Sequence, residues 1–246
     1  ELRIAGEIQA SMLPHDFKSP GCNCQVDLYA AMKPAKEAGG DLYDFFYLDP
    51  DHLCFVIGDV SDKGMPAALF MAVAATVLRA HATAERIQTP EEILTQTNEL
   101  LIRQNSMYQF ITMFLGIVNV RTGAVVYSDG GHNRPYLRRA GKSAEMLPRG
   151  GGIALGVMPG ASFKHHSLQI QPGDTLFLYT DGVTEAIAAD ESFYGEGRLE
   201  TLLSGIPADV PASAWTDAVM QSVFVFSKGH AQADDITVLA VRFLPA

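Results

Sequence analysis

The sequence contains few cysteines, and their pattern excludes two classes of protein. Among 246 residues there are 3, Cys22, Cys24 and Cys54. They form neither an even disulfide set nor the paired clusters, supplemented by histidines, that a zinc site requires. We therefore expect ordinary thiols in a reducing compartment rather than a disulfide-stabilised secreted domain.

Positive charge is also scarce. The chain has 18 Lys and Arg against 28 Asp and Glu, which gives a formal net charge of -10. This excludes nucleic acid as the main partner, because phosphate backbones are bound by clustered basic residues. The nearest approach to a basic patch, Arg134 with Arg138 and Arg139, is predicted to be a solvated face. The acidic excess fits carboxylates gathered around cations, and it also fits surface acids that only confer solubility.

No apolar run is long and continuous enough for an evident membrane span. The nearest approach, Met65–Ala82, is rich in Ala and contains Pro66 and Arg79, so we predict a core helix. Hydrophobic residues make up 48% of the chain, enough for a sizeable core. We expect one large folded domain rather than two small ones.

The N-terminal residues have a pattern of their own. The chain opens at Glu1 with neither an initiator Met nor a signal peptide, so we expect a longer protein with an upstream segment. A helix is predicted over 1–13, because apolar residues recur at helical spacing before Pro14. This apolar stripe is consistent with docking on a partner helix and with packing on its own domain. We assign 1–20 to a linker or regulatory helix and 21–246 to the main domain.

Beyond this helix, short apolar runs bounded by Gly, Asp or Pro predict strands, and periodic segments between them predict helices. Strands are expected at 27–31, 43–48, 53–57, 110–120, 124–128, 135–139, 164–170, 175–179 and 236–243. Helices are expected at 65–81, 90–101, 198–203 and 212–226. Hairpin-linked strands with helices in a few groups predict a layered α+β domain rather than a doubly wound parallel sheet.

Four acidic motifs lie at or near the ends of predicted strands. They are GGDLYD at 39–44, GDVSDKG at 58–64, TDGVTE at 180–185 and ADDIT at 233–237. Each alone is typical of a turn, because Asp and Gly favour turn geometry. Together they predict a convergence of oxygen ligands, which hard cations such as Mg²⁺ and Mn²⁺ prefer. Two such ions would lower the pKa of a shared water and neutralise charge on a phosphoryl group.

In this order and spacing, the motifs resemble the PPM-type (PP2C-like) phosphatases, and most closely their bacterial SpoIIE or RsbU branch. The resemblance is carried by GGDLYD, GDVSDKGMPAALFMA, SDGGHNRP, GIALGV, LYTDGVTEA and ADDITVLAVR. It implies the α+β fold called an αββα sandwich, in which two packed antiparallel β-sheets are flanked by helices. It also implies hydrolysis of phosphoserine or phosphothreonine by direct attack of a metal-bound water, with no phosphoenzyme.

Carried over position by position, the resemblance implies ligands for two divalent cations, Mn²⁺ or Mg²⁺. Asp59 corresponds to the aspartate that bridges both ions, with the Val60 carbonyl on one of them. Asp181 and Asp234 correspond to ligands of one ion, and Asp41 to the acidic residue near the other. Asp59, Asp181 and Asp234 would act in catalysis through the metal-activated water.

Several neighbouring positions differ from the family pattern or remain open. Asp235, where many relatives have Asn, is expected to support the ligands, and Asp44 is either a supporting or a surface residue. Eukaryotic relatives place a histidine, the proposed general acid, where this chain has Ser61, so the proton donor is open. His132 is either its replacement or a structural loop histidine, and we favour the structural interpretation. Asp62 stands where many bacterial relatives have Gly.

The resemblance also implies partners. The substrate would be a phosphorylated regulatory protein, such as a STAS-type anti-sigma-factor antagonist or a similar partner-switching protein. The helix pair that begins at Met65 would be a switch element that sets Asp59 and Val60 in position, although static core helices fit the same pattern. The N-terminal helix would connect an upstream sensor domain or form a homodimer. We expect a cytoplasmic protein, or the cytoplasmic domain of a membrane-attached sensor.

Two other functions fit the same residues. The domain could be a phosphatase-like module that binds a phosphoprotein without turnover, although a degenerate relative would be expected to lose acidic positions that are intact here. It could also be a two-metal hydrolase of a small phosphorylated metabolite. Mn²⁺ titration separates the first from a phosphatase, and the choice of substrate separates the second.

Overall fold

The computed structural model describes residues 2–17, 25–84, 88–105 and 108–245. The chain forms two compact units. The first comprises Glu1–His15, Lys36–His132 and Arg149–Gln169, and the second comprises Asp16–Ala35, Asn133–Pro148 and Ile170–Ala246. Of the three cysteines, Cys22 and Cys24 lie outside the described residues, and Cys54 is a buried free thiol.

The described residues form helices and strands that alternate in groups along the chain. In chain order they are α1 (Leu2–Met12), β1 (Val26–Lys33), β2 (Leu42–Asp49), β3 (His52–Val60), α2 (Met65–Ala82), α3 (Pro90–Gln104), β4 (Ile111–Asn119), β5 (Ala124–Gly130), β6 (Tyr136–Arg138), β7 (Ala144–Met146), β8 (His166–Gln169), β9 (Thr175–Tyr179), α4 (Asp181–Thr184), α5 (Gly195–Gly205), α6 (Ala212–Phe226) and β10 (Ile236–Phe243).

The first unit contains a five-stranded antiparallel sheet in the order β2-β3-β4-β5-β8. Its central strands β3 and β4 are almost wholly apolar and buried, as expected for strands covered on both faces. Gly116 in β4 lies under the Phe55 ring, and a Cβ there would come within 2.2 Å of the ring carbon Cζ. The glycine therefore makes room for an aromatic side chain in the core.

Helix α2 belongs to this unit and is the one described helix long and apolar enough, by length and composition, to cross a membrane. It packs against β2, β3, α1 and α3 with a stripe of small and apolar side chains. Near its C-terminal end, the Arg79 Nε donates to the Asp44 Oδ2 of β2 at 2.9 Å. This packing agrees with the predicted core helix.

The second unit contains another five-stranded antiparallel sheet, in the order β1-β10-β9-β6-β7. Helix α6 packs on β1 and β10 and buries Trp215 completely. Arg138 is only 8% exposed, and its guanidinium lies 5.5 Å from the centre of the Trp215 ring. Arg139 pairs with the buried Asp174 at 2.8 Å. The predicted solvated face is therefore wrong for Arg138, which is a core residue.

Two antiparallel sheets accompanied by helices confirm the predicted α+β class. All nine predicted strands are present, with ends that differ by a few residues. Two short elements were not predicted, the three-residue strand β7 and the four-residue helix α4. Strand β3 continues to Val60, so Asp59 lies inside the strand rather than in the loop after it.

Candidate metal centre

The two acidic motifs of the first unit lie at one end of the hairpin formed by β2 and β3. Asp41 directly precedes β2, and Asp59 is the penultimate residue of β3. The Val60 N–H donates to the Gly40 carbonyl at 3.3 Å, which ties the two motifs together through their backbones. A Cβ on Gly40 would lie 3.1 Å from the Val60 carbonyl oxygen. Glycine therefore favours this close approach of the two segments, since a Cβ would force them apart by a few tenths of an ångström.

Asp41 is the most deeply buried of the predicted ligands in this unit, with 1% of its surface exposed. Asp59 is half-buried. A buried carboxylate is costly unless hydrogen bonds or a cation compensate its charge. The burial of Asp41 at a strand end is therefore consistent with a residue that serves a charged partner.

The acidic motifs of the second unit lie at the ends of the adjacent strands β9 and β10. Asp181 follows β9 and begins α4, and Asp234 shortly precedes β10. Between them, the Thr180 N–H donates to the Thr237 carbonyl at 3.0 Å, and the Thr237 N–H donates to the Thr180 Oγ1 at 2.9 Å. Both threonines are fully buried. This pair of bonds, the threonine clasp, fixes the two motifs side by side.

The same two motifs also approach each other closely at Gly182. A Cβ added to Gly182 would lie 1.9 Å from the Asp235 carbonyl oxygen, a distance that no side chain can adopt. Asp235 itself is buried, and its Oδ1 accepts the Ala35 N–H at 2.7 Å. Its carboxylate therefore holds the segment that follows β1, and its supporting role at the metal ligands stays a prediction.

Asp44 has a partner of its own. Its carboxylate is paired with Arg79, and the Arg79 guanidinium also lies 4.5 Å from the centre of the Phe46 ring. Burial raises the pKa of Asp44 above its ordinary value, while the hydrogen bond and charge of Arg79 act in the opposite direction. Asp44 thus connects β2 to α2.

Ser61, at the position where eukaryotic relatives have a histidine, forms hydrogen bonds with the backbone of Phe110. The Ser61 N–H donates to the Phe110 carbonyl at 2.8 Å, and the Ser61 Oγ accepts the Phe110 N–H at 3.0 Å. The next residue, the exposed Asp62, has a φ of 71°, in the left-handed region that favours glycine. This conformation explains why Gly is suited to the position of Asp62, and Asp is among the residues that tolerate it.

His132 is buried beside the first unit's acidic motif. Its Nδ1 lies 2.8 Å from the Thr112 Oγ1, which also lies 3.4 Å from the Asp59 carbonyl oxygen. Its backbone N–H donates to the Asp129 Oδ1 at 2.9 Å. Burial raises the pKa of Asp129. These contacts hold His132 in place, and the choice between a structural and a proton-donating role stays a prediction.

The donor atoms of the predicted ligands suit the expected cations. Within either unit, the part of the chain that the structure describes contains no group of three or more His, Cys, Asp or Glu able to hold a metal ion. The predicted ligands are divided between the units, Asp41, Asp59 and Val60 in the first and Asp181 and Asp234 in the second. All offer carboxylate or carbonyl oxygens, the donors that Mg²⁺ and Mn²⁺ prefer.

Some residues that shape these motifs had no role in the sequence-based prediction. Thr180 and Thr237 lie inside the motifs TDGVTE and ADDIT, and their position next to the aspartates was the only available signal. Gln9, which bonds to the first motif from α1, has no motif around it. A lone glutamine in a helix is usually a solvated residue, so the sequence gives no reason to single it out.

Comparison with known proteins identifies the family. The family model described as Stage II sporulation protein E (SpoIIE) matches residues 49–244. The chain is 32% identical over 267 residues to Protein IcfG of Synechocystis sp., covering 98% of this chain and 41% of that protein. It is 28% identical over 185 residues to Phosphoserine phosphatase RsbU of Bacillus subtilis, covering 75% of this chain and 53% of RsbU. The chain thus spans about half the length of the curated relatives it matches.

A solved structure supports the fold. The SiaA-PP2C domain of Pseudomonas aeruginosa aligns with a TM-score of 0.83 at 23% identity, covering 98% of this chain and 94% of that domain. This likeness confirms the predicted fold class, two antiparallel sheets flanked by helices. The SpoIIE model matches well over half of the chain. The chain therefore belongs to the SpoIIE family of PP2C-type protein serine/threonine phosphatase domains, in the bacterial branch that includes RsbU.

Proposed function

We propose that this domain is a metal-dependent phosphatase that removes phosphate from phosphoserine or phosphothreonine on a regulatory protein. PP2C-type phosphatases are metal-dependent. The proposed ligands of two Mn²⁺ or Mg²⁺ ions are Asp41, Asp59, the Val60 carbonyl, Asp181 and Asp234. The observation that carries the proposal is the placement of these residues, in each unit, at adjacent strand ends whose backbones are bonded together.

When bound, a pair of divalent ions lowers the pKa of a water and neutralises charge that develops on the phosphoryl group. The contribution of the chain is to hold in place the backbone segments that carry these carboxylates. The threonine clasp and the Gly182 contact do so for Asp181 and Asp234, and the Val60–Gly40 bond does so for Asp41 and Asp59. Such pre-organisation removes the cost of arranging charges at the moment of reaction.

The proposed substrate is a phosphorylated partner-switching protein of the STAS type. The similar proteins RsbU and RsbP of Bacillus subtilis are both named phosphoserine phosphatases, and the sequence resemblance implies a partner-switching substrate. The net charge of -10 would not attract a negatively charged phosphoprotein over a long distance. The charge is therefore compatible with a protein substrate that binds through a limited contact surface. The cytoplasmic location expected from the sequence belongs to the same proposal.

We further propose that α1 contributes to a homodimer and connects to an upstream domain. Gln9 of α1 and Leu13, directly after the helix, are buried in their own unit, while Ile8 of α1 is 60% exposed. With Leu69 of α2, Ile8 borders an apolar groove open to solvent. Both interpretations of the N-terminal stripe therefore have support. Light scattering of the wild type and of Ile8→Glu tests the dimer, which the substitution should dissociate.

The proposed activity is tested with Mn²⁺ and a phosphorylated STAS-type protein. The wild type should release phosphate, and Asp59→Ala should abolish the release while leaving the circular dichroism spectrum unchanged. Asp62→Ala is the matched control, because Asp62 is an exposed aspartate of the same motif and should retain activity. Undiminished release by Asp59→Ala would show that the metal assignment is wrong.

The same experiment separates the two alternatives. Mn²⁺ binding with no turnover of any phosphoprotein would indicate a phosphoprotein-binding module. Rapid hydrolysis of small phosphorylated metabolites, with slow hydrolysis of phosphoproteins, would indicate a metabolite hydrolase. Calorimetric titration with Mn²⁺ adds a measurement that does not depend on the substrate chosen.

A further inference from the structure

The side chain of Gln9 in α1 exchanges two hydrogen bonds with the backbone of Gly39. Its Nε2 donates to the Gly39 carbonyl at 2.5 Å, and its Oε1 accepts the Gly39 N–H at 2.9 Å. The side-chain amide thus makes the same pair of hydrogen bonds with Gly39 that a peptide group of a neighbouring strand would make. Gln9 is 6% exposed, so loss of its amide would leave two backbone groups without a partner in a buried place.

A second contact joins the same two segments. Gly6 lies one turn before Gln9, and a Cβ there would come within 2.0 Å of the Glu37 carbonyl oxygen. The backbone of α1 therefore rests directly on the segment that leads to Gly39. Both contacts reach the chain within four residues of Asp41, and each is independent of the other.

The two glycines before Asp41 are held from two sides. Gly39 is bonded to Gln9, and the Gly40 carbonyl accepts the Val60 N–H at 3.3 Å. Glycine has the largest backbone freedom of any residue, so consecutive glycines do not by themselves fix the direction of the chain that follows. The bonds at Gly39 and Gly40 supply that constraint for Asp41.

We propose that Gln9 is a positioning residue for Asp41, so that the cation affinity of the first unit's motif depends on the docking of α1. This inference rests on the proposed function, because it requires Asp41 to serve a cation. In this proposal Gln9 acts through its two bonds to Gly39. Supporting residues of this kind change metal affinity by about 10-fold to 100-fold when they are removed.

The test uses Gln9→Met, which keeps the length of the side chain but removes both hydrogen bonds. Mn²⁺ affinity is measured by calorimetry, and the Mn²⁺ concentration for half-maximal phosphatase activity is measured separately. We expect affinity for one Mn²⁺ to fall about tenfold. The maximal rate at saturating Mn²⁺ should be retained, since no catalytic group is lost. Amide exchange at Gly39 should become faster, which is a readout independent of metal.

Two further variants make the result specific. Gly6→Ala pushes α1 away through the other contact and should reproduce the loss of affinity. Glu7→Met places the same new residue on the exposed face of α1 and should change nothing. Equal Mn²⁺ affinity in the wild type, Gln9→Met and Gly6→Ala would overturn the inference about Gln9 alone. A wild type that binds no Mn²⁺ would overturn both this inference and the proposed function.

Discussion

The two units place their acidic motifs in similar positions but secure them in different ways. In the second unit the motifs flank paired strands, and the threonine clasp joins residues that are 57 positions apart in the sequence. In the first unit they flank a single hairpin, and helices supply much of the support, α1 through Gln9 and α2 through Arg79. Strand pairing in a sheet centre is rigid, whereas helix packing can shift by small steps.

This difference predicts how each half should respond to change. In the second unit the bonds described for the acidic motifs come from the strand ends and from α4, which itself begins at Asp181, so we expect its ligands to be either correctly placed or lost. In the first unit, substitutions should change the placement of the ligands gradually, because the docking of α1 and α2 can weaken without unfolding the sheet. Variants in matched positions can separate these behaviours.

The largest effect is expected for Gly182→Ala. The new Cβ would lie 1.9 Å from a backbone oxygen, so a strand end must move, and we expect a loss of about 3 kcal/mol or more in the free energy of unfolding. The matched change in the first unit is Gly40→Ala, whose closest contact is 3.1 Å, with a loss of about 1 kcal/mol. Urea unfolding of both variants provides the measurement. Equal losses would contradict the contrast between the units.

The next effect is expected for Arg79→Met, which keeps the packing of the side chain and removes its charge. Breaking a buried ion pair costs about 3 to 5 kcal/mol, and because Arg79 is half exposed we expect about 2 kcal/mol near neutral pH. The measurement is urea unfolding, with Arg3→Met as a control, since Arg3 pairs with Glu7 on the surface.

The deficit of Arg79→Met should depend on pH. Burial already raises the pKa of Asp44, and loss of Arg79 removes the partner that lowers it. A raised folded-state pKa means that the folded protein holds the proton more tightly than the unfolded chain. The loss in the free energy of unfolding caused by Arg79→Met should therefore be largest at a pH where Asp44 is ionised. This loss should shrink as the pH falls through the pKa of Asp44 in the folded protein. A deficit that grows on acidification would contradict the assignment.

A smaller effect is expected for Thr180→Val, which removes the hydroxyl of the threonine clasp. The Thr237 N–H would lose a buried acceptor, at a cost of about 1 to 2 kcal/mol. Thr112→Val in the first unit removes the half-buried hydroxyl that contacts the His132 Nδ1 at 2.8 Å and the Asp59 carbonyl at 3.4 Å, and should cost no more than about 1 kcal/mol. Mn²⁺ titration of both variants would show whether the clasp matters more for binding than for stability.

The smallest effect is expected at Asp62, whose φ of 71° suits glycine. Asp62→Gly removes the backbone strain of the folded state but raises the conformational entropy of the unfolded chain. These effects oppose each other, so the free energy of unfolding should change by less than about 0.5 kcal/mol. Asp62→Ala should cost about 1 kcal/mol, because Ala disfavours the left-handed region. Thermal unfolding with both variants checks this. A gain of stability in Asp62→Ala would show that the loop has another conformation in solution.

Regular elements could be predicted from the sequence where their pattern was long enough. The strands β3, β4 and β10 carry continuous apolar runs, and their motifs mark where they end. The short β7 and α4 contain too few residues for any period to be visible. The burial of Arg138 was missed because it depends on Trp215, which lies far away in the sequence.

The predicted site shows the same limit. The aspartates were identified because they recur beside glycines in motifs, and those motifs resemble a family. The contacts that hold them, made by Thr180, Thr237 and Gln9, join distant segments through side-chain and backbone atoms together. Such pairings leave no trace in local composition. They are set by the tertiary structure.

The bond between Arg79 and Asp44 has a mechanical consequence for α2. It fixes the helix near one end, while Met65 lies about 20 Å away along the axis, at about 1.5 Å per residue. A rotation of about 5° about this pivot would displace the first turn by about 2 Å. Metal–oxygen distances tolerate errors of only about 0.2 Å. If the Val60 carbonyl serves a cation as proposed, a rotation of this size would be enough to move the chain beside Val60 out of coordination range.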